Sequence, residues 1–331
     1  MTRIDRIFTD RIDDTESKTV CAVGLDVGGT KIAGGLVARA TGEVLLRRVI
    51  PTAAERGGQA VLDDCLALAA GLLAEGESRG YAVQGIGVGV AELVDLDGTI
   101  TSSQTIAWRG LPVQAAFAQL APALVESDAR APALAEAIYG AGRPYRLFCY
   151  VTVGTGISSS LVLDGRPFAG ARGNALVLAT MPLSTVCTVC GAELHPVLEE
   201  FASGPALVAR YNQASGQRVE RGEAVLAAVE AGDPIAAEVV GSAGDALGSS
   251  VAFLVNVLDP EAVIVGGGLG MAGGLYWERF VASTRRHIYA DNSRSLPILP
   301  AHLGVDAGLV GAAAAVFQRI SGSAAIPGGQ P

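Results

Sequence analysis

From Val20 the chain alternates apolar runs with glycine-rich breaks, and the pattern of those runs sets its elements. The stretch VCAVGLDV reads as a buried strand that stops at Gly28-Gly29-Thr30. Ile32 to Ala38 returns as a second strand, and a turn at Thr41-Gly42 leads to a third from Val44 to Ile50. Apolar residues then recur at helical spacing from about Gln59 to Glu77, which predicts a long amphipathic helix. A strand over Gln84–Val90, a helix near Val113 to Leu120, and a short strand from Ala123 through Glu126 and Ser127 to Asp128 follow. Ala129 to Tyr139 reads as the next helix. Hairpins mixed with single strands and helices predict an α/β protein whose mixed sheets are covered by helices.

The opening pattern returns at Tyr150 as YVTVGTGISSSLVLDGRPF. Setting Val27-Gly28 over Val153-Gly154 places Asp26 over Thr152, with the following strands and turns in step. Such repetition predicts two related lobes, each offering a glycine hairpin to a shared cleft. A third glycine turn, Gly266-Gly267-Gly268, ends the buried strand that begins near Glu261. A small-residue helix from Ala307 to about Arg319 must pack closely against a neighbour. The expected division is a tail over 1–19, lobes over 20–128 and 129–305, a helix over 306–322 that returns to the first lobe, and a tail over 323–331.

Asp26 interrupts an otherwise apolar strand, and an unpaired buried carboxylate costs several kcal/mol, roughly. It is expected to face a cation or a phosphate-bound metal. Glycine turns bring backbone N–H groups close to anions, although a lone Gly-Gly pair reads equally well as a tight turn with no ligand. Three such turns at strand ends, with Asp26 before the first and hydroxyls at Thr30 and Thr155, point to a nucleotide. None fits the P-loop or the dinucleotide fingerprint.

Composition narrows the partners. The 331 residues are 50% hydrophobic and carry a net charge of -9, enough chain for two cores and no basic stripe for nucleic acid. The longest membrane candidate, Ala246 to Leu258, is broken by Ser249, Ser250 and Asn256. The first 19 residues lack an apolar signal core. A cytoplasmic protein acting on small molecules, with no nucleic-acid or membrane partner, is the expectation. Five cysteines give no disulfide framework, and only Cys187 and Cys190 have metal-ligand spacing.

These motifs resemble the ROK family of bacterial sugar kinases and repressors, in the actin-like, hexokinase-like ATPase superfamily. The resemblance spans about Val20 to Phe317 and rests on LDVGGTK (25–31), ESDARAPALAE (126–136), TVGTGISSSLVLDG (152–165), LEEFASG (198–204), VIVGGGL (263–269) and DAGLVGAAAAVF (306–317). It implies a two-lobed actin-like ATPase (ribonuclease H-like) fold with a nucleotide cleft between the lobes, binding ATP and Mg²⁺. Gly28, Gly29, Thr30 and Lys31, with Gly154, Thr155 and Gly156, would hold phosphates. Gly266, Gly267 and Gly268 would lie by the adenosine, and Asp26 would organise Mg²⁺ through water. Asp128 matches the catalytic aspartate that takes the proton of the acceptor hydroxyl; read from its position alone, it is equally a helix N-cap. Such proteins are often homodimers.

Acceptor recognition departs from the family pattern. The Asn before and the Asn two residues after the catalytic aspartate are Ser127 and Arg130 here, and a sugar-binding Asn ahead of Trp108 is Gln104 or Thr105. The family's sugar-binding Glu is Val177, and its His, which binds sugar and zinc, is Thr180; Glu199 keeps a further sugar-contacting Glu. The zinc motif has decayed to Cys187, Cys190 and His195, so structural zinc is not expected. The implied function is ATP-dependent phosphorylation of a primary hydroxyl on a polyol. A C7 cyclitol is the first expectation, a hexose or N-acylhexosamine the alternative, and a non-catalytic ligand-sensing regulator the third reading.

Overall fold

The computed structural model describes residues 18–186 and 191–323. Most of the expected 1–19 and 323–331 tails, with Cys187 and Cys190, therefore lies outside the described residues.

The first sheet has five strands, β1 (Val20–Val27), β2 (Lys31–Ala38), β3 (Val44–Pro51), β4 (Ala82–Val90) and β5 (Ala123–Ser127), in the order β3-β2-β1-β4-β5. β1, β2 and β3 are antiparallel neighbours, whereas β4 runs parallel to β1 and β5 parallel to β4. Helix α1 (Gly58–Ser78) links β3 to β4, and α2 (Val113–Ala118) precedes β5. Because side chains alternate across a strand, Cys21, Val23, Leu25 and Val27 of β1 enter one core with Val61, Leu68 and Leu72 of α1. Ala22, Gly24 and Asp26 take the opposite face. Helix α3 (Arg130–Tyr139) then carries the chain to the second half.

That half begins with β6 (Leu147–Val153), β7 (Ile157–Leu163) and β8 (Arg166–Pro167), then a small pair, β9 (Thr185–Val186) and β10 (Glu193–Leu194). Helices α4 (Leu198–Ala202), α5 (Gly204–Ser215), α6 (Gly222–Glu230) and α7 (Pro234–Leu258) lead to β11 (Ala262–Gly266). Helix α8 (Gly274–His287) and β12 (Ile298–Pro300) complete it. The second sheet runs β12-β11-β6-β7-β8, the first sheet's order read from its other edge, with the same parallel and antiparallel senses. Asp26 pairs with Gly89 of β4, and Thr152 pairs with Gly266 of β11. The repeat legible at Tyr150 is thus a duplicated sheet.

Helix α7 corrects the expected membrane candidate. It runs unbroken through Ser249, Ser250 and Asn256 from Pro234 to Leu258, and by length and composition it is long and apolar enough to cross a bilayer. Val240, Leu247, Val251 and Val255 are buried in the core with β6 and β11. Asp233 caps its start, accepting hydrogen bonds from the N–H groups of Ile235 and Ala236.

The last helix, α9 (Ala307–Ser323), crosses back to the first sheet. A Cβ at Gly24 would lie 1.9 Å from the Leu309 carbonyl oxygen, and one at Gly87 would lie 1.8 Å from that of Ala312. Glycine in β1 and β4 therefore lets helix backbone rest on sheet backbone. Helix α3 packs against α9 with Ala135 and against the second sheet with Ala133.

Candidate functional site

Asp26, at the end of β1, turns toward α9 rather than into the α1 core; a Cβ at Gly308 would lie 2.5 Å from its carboxyl carbon. Asp128 follows β5, and its N–H donates to Val90 at 2.9 Å, which sets it beside the end of β4. Both acids line one cavity of about 420 Å³ together with Lys31, Tyr150, Thr152, Gly267, Gly268 and the start of α9. Burial pushes the Asp26 carboxyl up to about 6, opposed by Lys31 and reinforced by Asp306. Asp128 is pushed up to about 7, first by burial and then by the charges of Asp26, Glu199 and Glu92; a hydrogen bond from the Ala129 N–H works the other way. The N-cap alternative for Asp128 is corrected: Ala129 is the cap residue of α3, and the Ser127 hydroxyl accepts the Arg130 N–H at 3.3 Å.

The three glycine turns differ in their approach to this cavity. In the first, the Gly28 N–H donates to the Lys31 carbonyl at 3.1 Å, and Thr52 clamps the turn by donating its hydroxyl to Gly28 at 2.6 Å and its N–H to Thr30 at 3.0 Å. In the second, the Gly154 N–H donates to Gly156 at 2.9 Å. In the third, Gly267 adopts φ +82, and its missing Cβ would meet the Val153 carbonyl at 2.3 Å. Only Gly267 and Gly268 of these turns line the cavity; Gly28, Gly29, Thr30, Gly154, Thr155, Gly156 and the buried Gly266 stand outside its wall. A Cβ at Gly154 would have the Gly268 nitrogen as its nearest neighbour, at 3.9 Å, so the second and third turns face each other.

The expected acceptor residues scatter. Glu199 sits against the second turn, accepting the Ile157 N–H at 2.7 Å. Ser127 is buried and occupied with Arg130. The side chains of Gln104 and Thr105 are exposed, on a loop that packs beside Gly29. Val177 is 43% exposed, and Thr180 is exposed and donates its hydroxyl to the Val177 carbonyl at 3.0 Å; neither lines the cavity. His195 meets the Ser184 hydroxyl at 3.3 Å, and no group of three or more His, Cys, Asp or Glu suited to a metal ion occurs among the described residues.

The reading of the sequence missed Glu92 and Tyr150 as site residues and took Arg130 only as a departure from the family pattern. The Glu92 carboxylate is buried and accepts the Ser102 hydroxyl and the N–H groups of Gln104, Thr105 and Ile106. Arg130 is buried and donates to Glu126 at 2.5 Å, to the Gly173 carbonyl at 2.5 Å and to the Val94 carbonyl at 2.9 Å, tying the two halves together. Tyr150 puts its phenol on the cavity wall, where burial raises its pKa and the Thr152 hydroxyl bonds to it. Glu92 carried a usable signal, an acid in the apolar run GVGVAELV, the same anomaly that marked Asp26.

Duplicated five-stranded sheets, a cleft between them, carboxylates from the first and glycine turns from the second define a two-lobed α/β protein of the actin-like ATPase class. The ROK family pattern matches residues 22–319, and the chain belongs to that family. It is 30% identical over 311 residues to a glucokinase of Streptomyces coelicolor, an alignment covering 88% of this chain and 96% of that protein. Among solved structures, it resembles a ROK hexokinase from Thermus thermophilus, with TM-score 0.76, 32% identity, and 91% and 99% of the two chains covered. A ROK glucokinase from Streptomyces griseus, solved with glucose and AMPPNP, matches with TM-score 0.76, 30% identity, and 90% and 99% coverage.

Proposed function

We propose that this chain is an ATP-dependent sugar kinase that phosphorylates a primary hydroxyl of a hexose or N-acylhexosamine. The observation that carries the reading is the shared cavity: Asp128, held near neutrality, opens on the same space as Asp26, Lys31 and the Gly267-Gly268 turn. The cavity suits nucleotide phosphates, because a Cβ at Gly268 would meet nothing within 4 Å and Lys31 adds a cation. The hard oxygen donor of Asp26 suits Mg²⁺, which would neutralise phosphate charge during transfer.

Within this chain, Asp128 is the general base. As the acceptor oxygen bonds to the γ-phosphorus and the bond to the leaving ADP breaks, the hydroxyl proton passes to the Asp128 carboxylate. Its raised pKa makes it a better proton acceptor than an ordinary aspartate while leaving it ionised above about 7. Lys31 and the Gly267-Gly268 turn orient the phosphates, and Glu199 braces the second turn through Ile157. On this reading the enzyme works in the cytoplasm as a homodimer, without a nucleic-acid or membrane partner.

A second reading keeps the C7 cyclitol as acceptor. It rests on the family pattern alone, in which Val177 and Thr180 fall where a sugar-binding Glu and His would stand. Acceptor-dependent ADP release measured with Mg²⁺ across hexoses, N-acylhexosamines and cyclitols tests both. A kcat/KM for a cyclitol above that for every hexose and hexosamine selects the second reading. Absence of acceptor-dependent ADP release across the panel overturns both and leaves the ligand-sensing regulator.

A further inference from the structure

We propose that Glu92 is a positioning residue of the acceptor site, whose carboxylate clamps loop 102–106 against the first glycine hairpin and so couples acceptor binding to nucleotide binding. The proposal rests on the sugar-kinase reading above. Glu92 lies just beyond β4 and is 5% exposed. Its Oε2 accepts the Ser102 hydroxyl and the Gln104 N–H at 2.9 Å, and its Oε1 accepts the N–H groups of Thr105 at 2.6 Å and Ile106 at 2.7 Å. Three successive N–H groups converging on one carboxylate form an anion nest, filled here by the protein's own side chain. A loop with its donors so converged needs an anion at the centre, since otherwise the N–H groups are left unpartnered together.

The flanks of the loop are already fixed. Leu93 donates its N–H to the Ser102 hydroxyl at 2.8 Å and accepts the Thr101 N–H at 2.8 Å, closing the near end. Ile106 and Trp108 are buried at the far end, with the Trp108 indole donating to the Gly58 carbonyl at 2.7 Å. Between these anchors, Gln104 and Thr105 turn their side chains outward, and Glu92 holds their backbone N–H groups from within. The Thr105 methyl stands 2.6 Å from where a Cβ at Gly29 would be, so the loop abuts the hairpin that follows Asp26. An acceptor held by Gln104 or Thr105 thus bears on Gly29 through a loop made rigid by Glu92. The clamp needs a carboxylate of this length. Glutamine would point an NH₂ at converging N–H donors, and aspartate is one methylene short.

Glu92→Gln tests the clamp in two independent ways. Hydrogen exchange on the free protein needs no substrate: exchange at 104–106 and 28–30 should quicken at least tenfold, with α7 and β11 unchanged. Glucose, as the acceptor probe, should show a KM raised about tenfold, with kcat within threefold of wild type and ATP affinity without glucose within twofold. Saturating glucose should tighten ATP binding in wild type and fail to do so in the variant. Unchanged exchange at 104–106, an unchanged KM with a lowered Tm and kcat, or no tightening of ATP by glucose in a wild type that phosphorylates it would each overturn the proposal. If wild type phosphorylates no sugar, the kinase reading fails while the exchange result still stands on its own. Should Glu92→Gln not fold, Ser102→Ala removes one donor of the nest, and a two- to fourfold rise in glucose KM is the expected result; an unchanged KM overturns the clamp.

Discussion

The two sheets share strand order and strand sense, yet at matching positions the first carries Asp26 and the second Thr152. Each half closes its first hairpin with glycines, but both acids that line the cavity, Asp26 and Asp128, come from the first half. Beside Thr152, the second sheet pairs Tyr150 with Ser160 and Thr152 with Ser158, so its cleft face is a ladder of hydroxyls. The contrast teaches that topology supplies the floor of such a site and a single side chain assigns its chemistry. On the cavity wall itself the second half sets Tyr150 and Thr152 opposite Asp26 and Asp128, so no further carboxylate crowds that wall.

The largest effect expected from breaking this contrast is at Asp128. Asp128→Asn should lower kcat by about 10²–10⁴, because an amide cannot take the hydroxyl proton, and near-normal turnover with the true acceptor would remove Asp128 from the chemistry. The same variant should be the more stable protein. Asp26 and Asp128 hold protons up to about 6 and about 7 in the fold and only to about 4 in the unfolded chain. Between those limits the native state binds more protons, so stability falls as pH rises. Metal-free Asp128→Asn should therefore gain on the order of 1–3 kcal/mol at pH 8, read as a Tm several degrees higher, and a lower Tm would contradict the charge crowding. In the wild type, kcat/KM should climb with pH through about 7 as Asp128 ionises.

A smaller effect separates the glycine turns from mere turns. Gly268→Ala meets open space, so its Tm should match wild type, while the KM for ATP should rise about tenfold as a methyl enters the phosphate volume. Unchanged ATP kinetics would reduce the third turn to scaffolding. Smallest of all is zinc: protein purified without added metal should hold well under one equivalent, and a zinc chelator should leave Tm alone. One equivalent by elemental analysis would point to Cys187, Cys190 and His195.

The floor of the site was legible because it is local. Glycine turns at strand ends, the acid in β1 and the echo at Tyr150 are all set by nearest-neighbour pattern, and the repeat carried the pairing of whole sheets. The acceptor end was not, because its geometry comes from contacts distant in sequence. Arg130 reaches Gly173 and Val94, and the nest around Glu92 closes a loop ten or more residues away. Matching by position assigned Ser127, Val177 and Thr180 to the acceptor; it gave no sign that the Ser127 hydroxyl accepts the Arg130 N–H or that Val177 and Thr180 are exposed. Sequence spacing gives which residues alternate on a strand; it does not give which loops meet.

The close seating of α9 on Gly24 and Gly87 has a consequence for how the protein is made. The first sheet is translated early, but the helix that covers one of its faces, and supplies Gly308 beneath Asp26, leaves the ribosome only after the entire second half. At about 5–20 residues per second that interval is on the order of tens of seconds, during which Ala22, Ala33 and Val37 lack their partners Leu309, Ala313 and Phe317. Until the last helix arrives, that face of the first sheet has no cover from α9. A chain cut short before α9 cannot assemble the wall behind Asp26, so only finished copies acquire the site.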